Sequence, residues 1–590
     1  MRAFLAVTVA PHAVSRLPRP SAAVLSCLAD DETAVDRVDE SADGWVAFAG
    51  RDELDILGEL GDAFTVRLSL LLRTREDELS TADIPALIAA AEPLTELLPP
   101  FAAAHRAAAG APVRVANDWL GYRQLFWWQG DGVAAVSTSA RALAVLTGRG
   151  LDRAGLGAQA MIGWQVGDRT IFEDVRSLPP ATIVTLSGGQ ARFEQYAEPV
   201  SQDGPAPDVD DAVAEMADIL VRWQTAYVEA HPDSVIQLTG GHDSRILLGA
   251  IPEKLRAGRR ALTLGEPDHP DVVIAARLVK RYDMRHQVRR LDDEHPTPAE
   301  AHAVSLLAAG ALECLASPMA LAPLLLTEAR LDQGHRLSGL GGEVARGFYY
   351  SGQPAGAETS AKLVKRLAHW RIFANEAVEE AALDPGFRAE AREGTENALV
   401  ELFAPGDWLR STDQFYLYHR MHRWSAAHGS AAAVRRHAVN PMFDRRFIEL
   451  ALAVAPADKR DSLLLGRLMT KLDPELARIP LDSGLIPARL GSRDLATRVS
   501  LATVTARKAS RKIRQRLTRG RNPQLGAAGM AELVLRHWRA DPSAAQALYE
   551  HKILDRAWLD GILDGTRAPA PTTVAFLVNL LAAGAPAGGA

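Results

Sequence analysis

Apolar positions in the first two hundred residues fall in short runs broken by Gly and Asp. The run 3–10 predicts a buried first strand. Val113–Asn117, 124–128 and Val133–Ser137 predict further strands, and 181–193 predicts a strand pair turning at Ser187-Gly188-Gly189. This is the texture of stacked sheets. The segment 201–208, rich in Pro and Asp, reads as an interdomain linker. Beyond it the period changes. Residues 210–230 have helical spacing and lead into a compact strand at 235–238, a Gly turn and another helix. A second strand, Arg260–Leu264, passes through a Pro-containing loop into a helix at 272–281, and from His302 the pattern is mostly helical. Strands alternating with helices predict a parallel α/β sheet. The expected organisation is one unit over 1–200, a linker at 201–209 and a second unit over 210–590.

Composition narrows the reading. With 590 residues, 47% hydrophobic and 24% charged, the chain is long enough for two or three domains with a large core. A formal charge of -7 gives no global reason to expect nucleic acid or an anionic membrane as the main partner. Cys27 and Cys314 are the only cysteines, which excludes a disulfide framework and a cysteine-rich zinc site and makes a reducing cytoplasm the simpler setting. The apolar start carries one basic residue, Arg2, and is soon followed by Pro11, His12 and Arg16, so it is read as a strand rather than a signal peptide. The apolar region 303–326 contains Glu313, Pro318 and Pro323 and is read as a core helix broken by prolines, not a membrane span. Residues 357–407 are charged and helical in pattern. The stretch from Arg507 to Arg521 holds eight Lys or Arg residues, for which a solvated helix and loop is weighed against a docking surface for an acidic partner or RNA. The Ala/Gly-rich tail after Ala582 lacks the composition of a packed segment.

Two Gly-rich turns carry the candidate chemistry. Leu238-Thr239-Gly240-Gly241-His242-Asp243-Ser244-Arg245 lies where a strand ends and a helix begins. Glycines there let several backbone N–H groups converge on one anion, and the helix N-terminus adds positive partial charge. Thr239 and Ser244 offer hydroxyl donors, and Asp243 can hold magnesium. About one hundred residues on, Ser338-Gly339-Leu340-Gly341-Gly342-Glu343 is a second Gly-rich turn ending in a carboxylate, a candidate second magnesium ligand. Placed at the ends of neighbouring strands, the two turns would face each other across a nucleotide crevice.

Thr239 to Ser244 resembles the SGGxDS pyrophosphate loop of the asparagine synthetase-like family, which includes asparagine synthetases, β-lactam synthetases and lasso peptide cyclases, with Thr in place of the first Ser. Ser338 to Glu343 resembles the family's second, magnesium-binding loop. Asn117 to Phe126 is similar to its DxxGxxPLYY segment. Thr170-Ile171-Phe172 with Leu178-Pro179-Pro180 is similar to its TlF…LPPG segment, and Asn440-Pro441-Met442-Phe443-Asp444 to its PFLD element. The resemblance implies an N-terminal αββα domain like the Ntn-hydrolase glutaminases and a C-terminal ATP-pyrophosphatase (PP-loop) α/β domain with a parallel sheet and many helices. It implies ATP and Mg2+, with Leu238, Thr239, Gly240, Gly241, Asp243, Ser244, Gly339, Gly341 and Gly342 around the phosphates and Asp243 and Glu343 on the metal. By the same resemblance Leu264 and Gly265 would lie near the adenine, Asp271 and Arg277 in the following helix, and Ser317-Pro318-Met319 near the nucleotide.

The chain also departs from this pattern. Active glutaminases of the family expose an N-terminal cysteine, whereas this chain begins Met1-Arg2, so glutamine hydrolysis is not expected. Leu340 stands where the family has a Glu or Tyr that acts on the amine, and a leucine cannot take a proton. Val344 replaces a second acidic residue, and Arg478-Ile479-Pro480-Leu481 falls where a catalytic lysine is expected. Candidates for the missing role are Lys471, against a plain surface lysine; His242, against a loop contact; and Glu313, against a buried, capped carboxylate. Arg245 and Arg346, beside the two loops, are candidates to clamp a phosphate or carboxylate, equally well read as partners in salt bridges.

Together the resemblance and these departures imply an ATP-dependent ligase. It would adenylate a carboxylate, release AMP and pyrophosphate, and couple the product to an amine in a small-molecule or peptide substrate, as in lactam or macrolactam formation. The alternatives are a non-catalytic ATP- or partner-binding homologue and an ammonia-dependent enzyme resembling asparagine synthetase.

Overall fold

The computed structural model describes residues 2–584 except 30–34, 36, 51, 201, 203, 291–293, 330, 332–333, 434–436, 491–498, 500–501, 505, 507–509 and 511–525. The basic residues between Arg507 and Arg521 lie outside the described residues, as does the tail beyond Gly584. The last helix, Pro571–Gly584, runs two residues further than Ala582.

Two six-stranded antiparallel sheets are built from the first two hundred residues. One runs Arg176–Ser177, Phe126–Gly130, Val133–Ser137, Ala3–Val9, Gly44–Ala49, Arg37–Ser41. The other runs Gln190–Gln195, Thr182–Ser187, Val113–Asn117, Ala102–Arg106, Phe64–Arg67, Ile56–Gly58. The first strand shows why its run is apolar without a break. Phe4 and Ala6 point into a cluster shared with Phe64, Val66, Val115 and Val184 of the opposite sheet, while Leu5 and Val7 point outward into the cluster containing Leu143 of the helix Ala140–Thr147. A strand covered on both faces alternates between two cores instead of between core and water. Ile84 and Ile88 of the helix Ile84–Ala90 cover the outer face of the second sheet at Ala103, Ala116 and Ile183. The expected hairpin is present: Gly188 and Gly189, both left-handed at φ 54 and 73, make the two-residue turn between Thr182–Ser187 and Gln190–Gln195.

The remainder holds a five-stranded parallel sheet in the order Arg285–Arg289, Arg260–Leu264, Val235–Gln237, Arg336–Leu337, Ala438–Val439. Helix Val209–Ala230 is capped by Asp208, whose side chain accepts from the N–H groups of Asp210 and Asp211. The helix expected at 272–281 begins earlier, because Pro270 occupies its first turn and His269 caps it. The region 303–326 is two helices, Pro298–Ala311 and Pro318–Ala329, but the prolines do not make the break: Pro318 opens the second helix and Pro323 lies inside it. The chain instead leaves the helix at Glu313 and Cys314, both at positive φ (53 and 57). Among the described residues no helix is long and apolar enough to cross a membrane.

Two of the motif segments, together with Glu313, lock the two halves together. Asp118 is fully buried and its carboxylate accepts from the backbone N–H of Phe101, Leu120, Tyr122 and Arg123. The loop it shapes presents Tyr122, whose hydroxyl lies 2.6 Å from Ser425 Oγ and whose ring packs 4.7 Å from that of Phe443. Asp444 caps the helix Arg445–Ala453 and takes a bidentate pair from Arg75 (3.1 and 2.9 Å) and the indole N–H of Trp223 (2.8 Å). Glu313 closes a third contact: Ser139 Oγ (2.9 Å) and the Arg141 N–H (3.1 Å) both donate to its Oε2 at the start of helix Ala140–Thr147.

Candidate functional site

The central strand Val235–Gln237 has Arg260–Leu264 on one side and Arg336–Leu337 on the other, so the chain order reverses beside it. Crevices at the carboxyl ends of parallel strands at such a switch point are where open α/β sheets take ligands. Both Gly-rich turns leave the sheet there, from adjacent parallel strands.

Contact between the turns explains their glycines. A Cβ at Gly339 would fall 2.9 Å from the Ser244 backbone N, and one at Gly342 would fall 2.2 Å from Asp243 Oδ1. Gly341 has φ +106 and lies against Phe443. In the first loop Thr239 and Ser244 hydroxyls are 3.0 Å apart, the Ser244 hydroxyl also accepts from the Thr239 N–H, and the Gly240 N–H donates to Asp271 Oδ1 at 2.8 Å. The helix His242–Ala250 starts at this turn, with Asp243 in its first turn. Gly342→Ala is expected to lower stability by about 1–3 kcal/mol, since the added methyl has no room. Gly394→Ala, mid-helix in Pro385–Leu402 with nothing within 4 Å, is expected to be neutral or to stabilise by about 0.5–1 kcal/mol. Thermal unfolding of the two variants checks both.

Asp243 and Glu343 share one cation. Arg346 Nη2 lies 3.4 Å from Glu343 Oε1 and 3.8 Å from Asp243 Oδ2, while the Gly341 N–H donates to Glu343 Oε2 at 3.2 Å. Asp243 Oδ1 is buried without a hydrogen-bond partner. Burial first, and the Glu343 carboxylate second, push Asp243 up to about 7 against the pull of Arg346. Burial works against the charge on Arg346, yet the two carboxylates outweigh it and raise its pKa. Two carboxylates with one orphaned oxygen suit magnesium, which takes one or two protein carboxylates and completes its shell with water and phosphate. Among the described residues no group of three or more His, Cys, Asp or Glu could hold a metal by itself.

The other candidate residues are dispersed. Among the described residues Arg245 pairs with no carboxylate. It is buried, donates to the carbonyls of Ile479 (2.6 Å), Pro480 (3.0 Å) and Gly240 (3.2 Å), and burial lowers it to about 10. The segment Arg478 to Leu481 thus lies against the first loop but brings no lysine. Lys471 is an exposed residue in the last turn of Leu463–Leu472, whose Leu472 packs at Gly249, six residues or about 9 Å along the helix from Asp243. It does not join the site. Glu313 is the capped, buried carboxylate described above, pushed up to about 7 chiefly by burial, and it faces the N-terminal half through a cavity of about 30 Å³ shared with Arg123 and Ser430. His242 is partly buried at the start of the helix after the first loop. Leu264 and Gly265 end the neighbouring strand, with Gly265 N–H donating to Arg289 O at 2.9 Å. Ser317, Pro318 and Met319 open the helix Pro318–Ala329.

At the other end of the chain, Arg2 is buried with Asp55 2.7 Å from its Nε, and Arg67 joins the same carboxylate at 3.1 Å. Cys27 and Cys314 are buried, and burial raises both thiols, Cys314 to about 12, so neither is a thiolate at neutral pH. No family model matches the chain, and no curated protein matches it.

Proposed function

We propose that the chain is an ATP-dependent carbon–nitrogen ligase. A substrate carboxylate attacks the α-phosphate of ATP, pyrophosphate leaves, and an amine captures the acyl-adenylate to give an amide and AMP. The observation that carries this reading is the mutual fit of the two turns: Gly339 and Gly342, without room for a Cβ, bring the second turn against Asp243 at a sheet switch point, with Arg346 between the Asp243 and Glu343 carboxylates. Thr239, Ser244 and the N-terminus of His242–Ala250 would hold the β- and γ-phosphates. Asp243 and Glu343 would hold magnesium, which when bound supplies charge neutralisation for the leaving pyrophosphate. Arg346 then exchanges its carboxylates for a phosphate oxygen. In this reading the N-terminal sheets are a glutaminase-like Ntn fold, and the chain's thiols, Cys27 and Cys314, are both buried and raised by burial and so supply no thiolate nucleophile at neutral pH. With Leu340 unable to accept a proton, the amine enters neutral and belongs to the substrate.

A second reading, a non-catalytic nucleotide binder, is favoured by Arg346, whose guanidinium already lies between both carboxylates where a metal would be held. Incubation with magnesium, ATP and peptides bearing a free amine and a carboxylate separates the two. The ligase yields AMP and pyrophosphate in equal amounts; a protein that binds ATP and never releases pyrophosphate supports the second reading.

The raised Asp243 pKa gives a signed test. Between its ordinary value near 4 and about 7 the folded state holds a proton that the unfolded chain has lost, so this group removes stability as pH rises through that window, and the whole cost stands above 7. Asp243→Asn is therefore expected to melt at the same temperature as the parent near pH 4 and progressively above it up to pH 8. Magnesium-ATP affinity of the parent is expected to rise from pH 6 to 8 as the proton is released. Melting curves and calorimetric titrations at pH 4, 6 and 8 check both slopes.

A further inference from the structure

Two stretches of the C-terminal half are wound as π-helix, Ala368–Ile372 and Tyr416–Ser425. π-turns are rare, and they recur where a helix must re-aim side chains. Each of these delivers a guanidinium to one ring: Arg371 lies 4.6 Å and Arg420 5.5 Å from the centroid of Phe348. Phe348 is two residues after Arg346, so this cluster adjoins the Asp243–Glu343 pair. Tyr416 packs against Phe348 at 4.5 Å, and Arg371 also covers Tyr349 at 5.0 Å.

The three arginines are not equivalent. Arg346 is shared by Asp243 and Glu343, and Arg420 has Glu376 at 3.7 Å. Among the described residues no ion pair involves Arg371; its contacts are ring faces. A guanidinium held over ring faces is positioned without spending its N–H donors, which stay available to take a carboxylate bidentately. Burial pulls its pKa down, opposed by Tyr349 and assisted by Arg420 and Arg346, so an incoming anion would relieve both the desolvation and the crowding of like charge. The side chain is half-buried, and its neighbour Trp370 is 54% exposed, which leaves an approach from solvent.

We propose that Arg371, presented over Phe348 and Tyr349 between the two π-helices, binds a non-reacting carboxylate of the substrate, and that the substrate is therefore a dicarboxylate or a peptide with an acidic group besides the one activated. The inference rests on the ligase reading for its placement beside the nucleotide. A carboxylate that is adenylated loses its charge, whereas a second one remains ionised throughout and can anchor the substrate one ring away from the phosphates.

The test uses N-acetyl-L-glutamate and its near-isostere N-acetyl-L-glutamine, titrated into the full-length chain by ligand-observed NMR, with and without magnesium and α,β-methylene-ATP. N-acetyl-L-glutamate is expected to bind the parent at least ten-fold more tightly than N-acetyl-L-glutamine. Arg371→Gln is expected to erase that difference, and Arg371→Lys, which keeps a cation over the ring, to recover part of it. Unchanged melting of Arg371→Lys guards against a folding defect. Equal binding of the two probes, no binding of either, or a preference that survives Arg371→Gln overturns the proposal. If the nucleotide analogue binds and the probe preference is absent, the inference alone fails. If the preference depends on Arg371 but the analogue does not bind, the ligase reading fails and an anion site remains.

Discussion

Asp243→Asn and Glu343→Gln are each expected to reduce pyrophosphate release by about 10²–10³-fold, the scale on which preorganised groups acting on developing charge are worth several kcal/mol. Each substitution keeps the shape of the loops and removes one charge from the pair that faces Arg346. The two variants separate a site role from a structural one. Asp243 carries a buried oxygen without a partner and a pKa pushed up to about 7, so neutralising it removes a cost to the fold even as it removes a candidate metal ligand. A variant that melts at or above the parent at pH 8 and releases no pyrophosphate supports the assignment. One that keeps parental release with either amide in place would falsify it.

The largest expected loss of stability lies outside the crevice. Lys459 is fully buried, and its ammonium donates to Asp413, which also accepts from the Tyr350 hydroxyl at 2.6 Å. Burial pushes Asp413 up, with Lys459 as the leading opposing influence. Asp413 lies in the last turn before the π-helix Tyr416–Ser425, and Tyr350 follows the second loop, so the pair ties the helix carrying Arg420 to the loop carrying Glu343. Asp413→Leu strands an ammonium in the core and is expected to cost about 3–5 kcal/mol, read from urea unfolding. Combining it with Lys459→Met removes both charges and is expected to recover most of that loss. If the single variant costs under about 1 kcal/mol, the buried pair is not ionised as described.

Much of the architecture was legible because its periods are long or its signals local. The first strand, the Gly188-Gly189 hairpin, the strand Arg260–Leu264 and the helix Val209–Ala230 announce themselves by apolar runs, turn glycines and helical spacing. Arg285–Arg289 was missed: an edge strand with four polar residues out of five offers no apolar period. The strands Arg336–Leu337 and Ala438–Val439, two residues each, are too short for any periodicity, yet they place the second loop beside the first and Asn440 beside the second. Prolines misdirected the reading of 303–326, because the helix is ended by Glu313 turning away to cap a helix from the other half of the chain.

For the candidate site, the sequence by itself determined the two Gly-rich turns with their hydroxyls and terminal carboxylates, because these residues are contiguous and contiguous residues carry their geometry with them. Only the tertiary structure decided what the arginines do. Arg245 is spent on carbonyls of a segment more than two hundred residues away, Arg346 bridges two carboxylates from different loops, and Arg371, among the described residues, contacts ring faces and no carboxylate. A guanidinium reaches far from its own backbone, so its partner is set by the packing of distant elements and not by its neighbours in the chain.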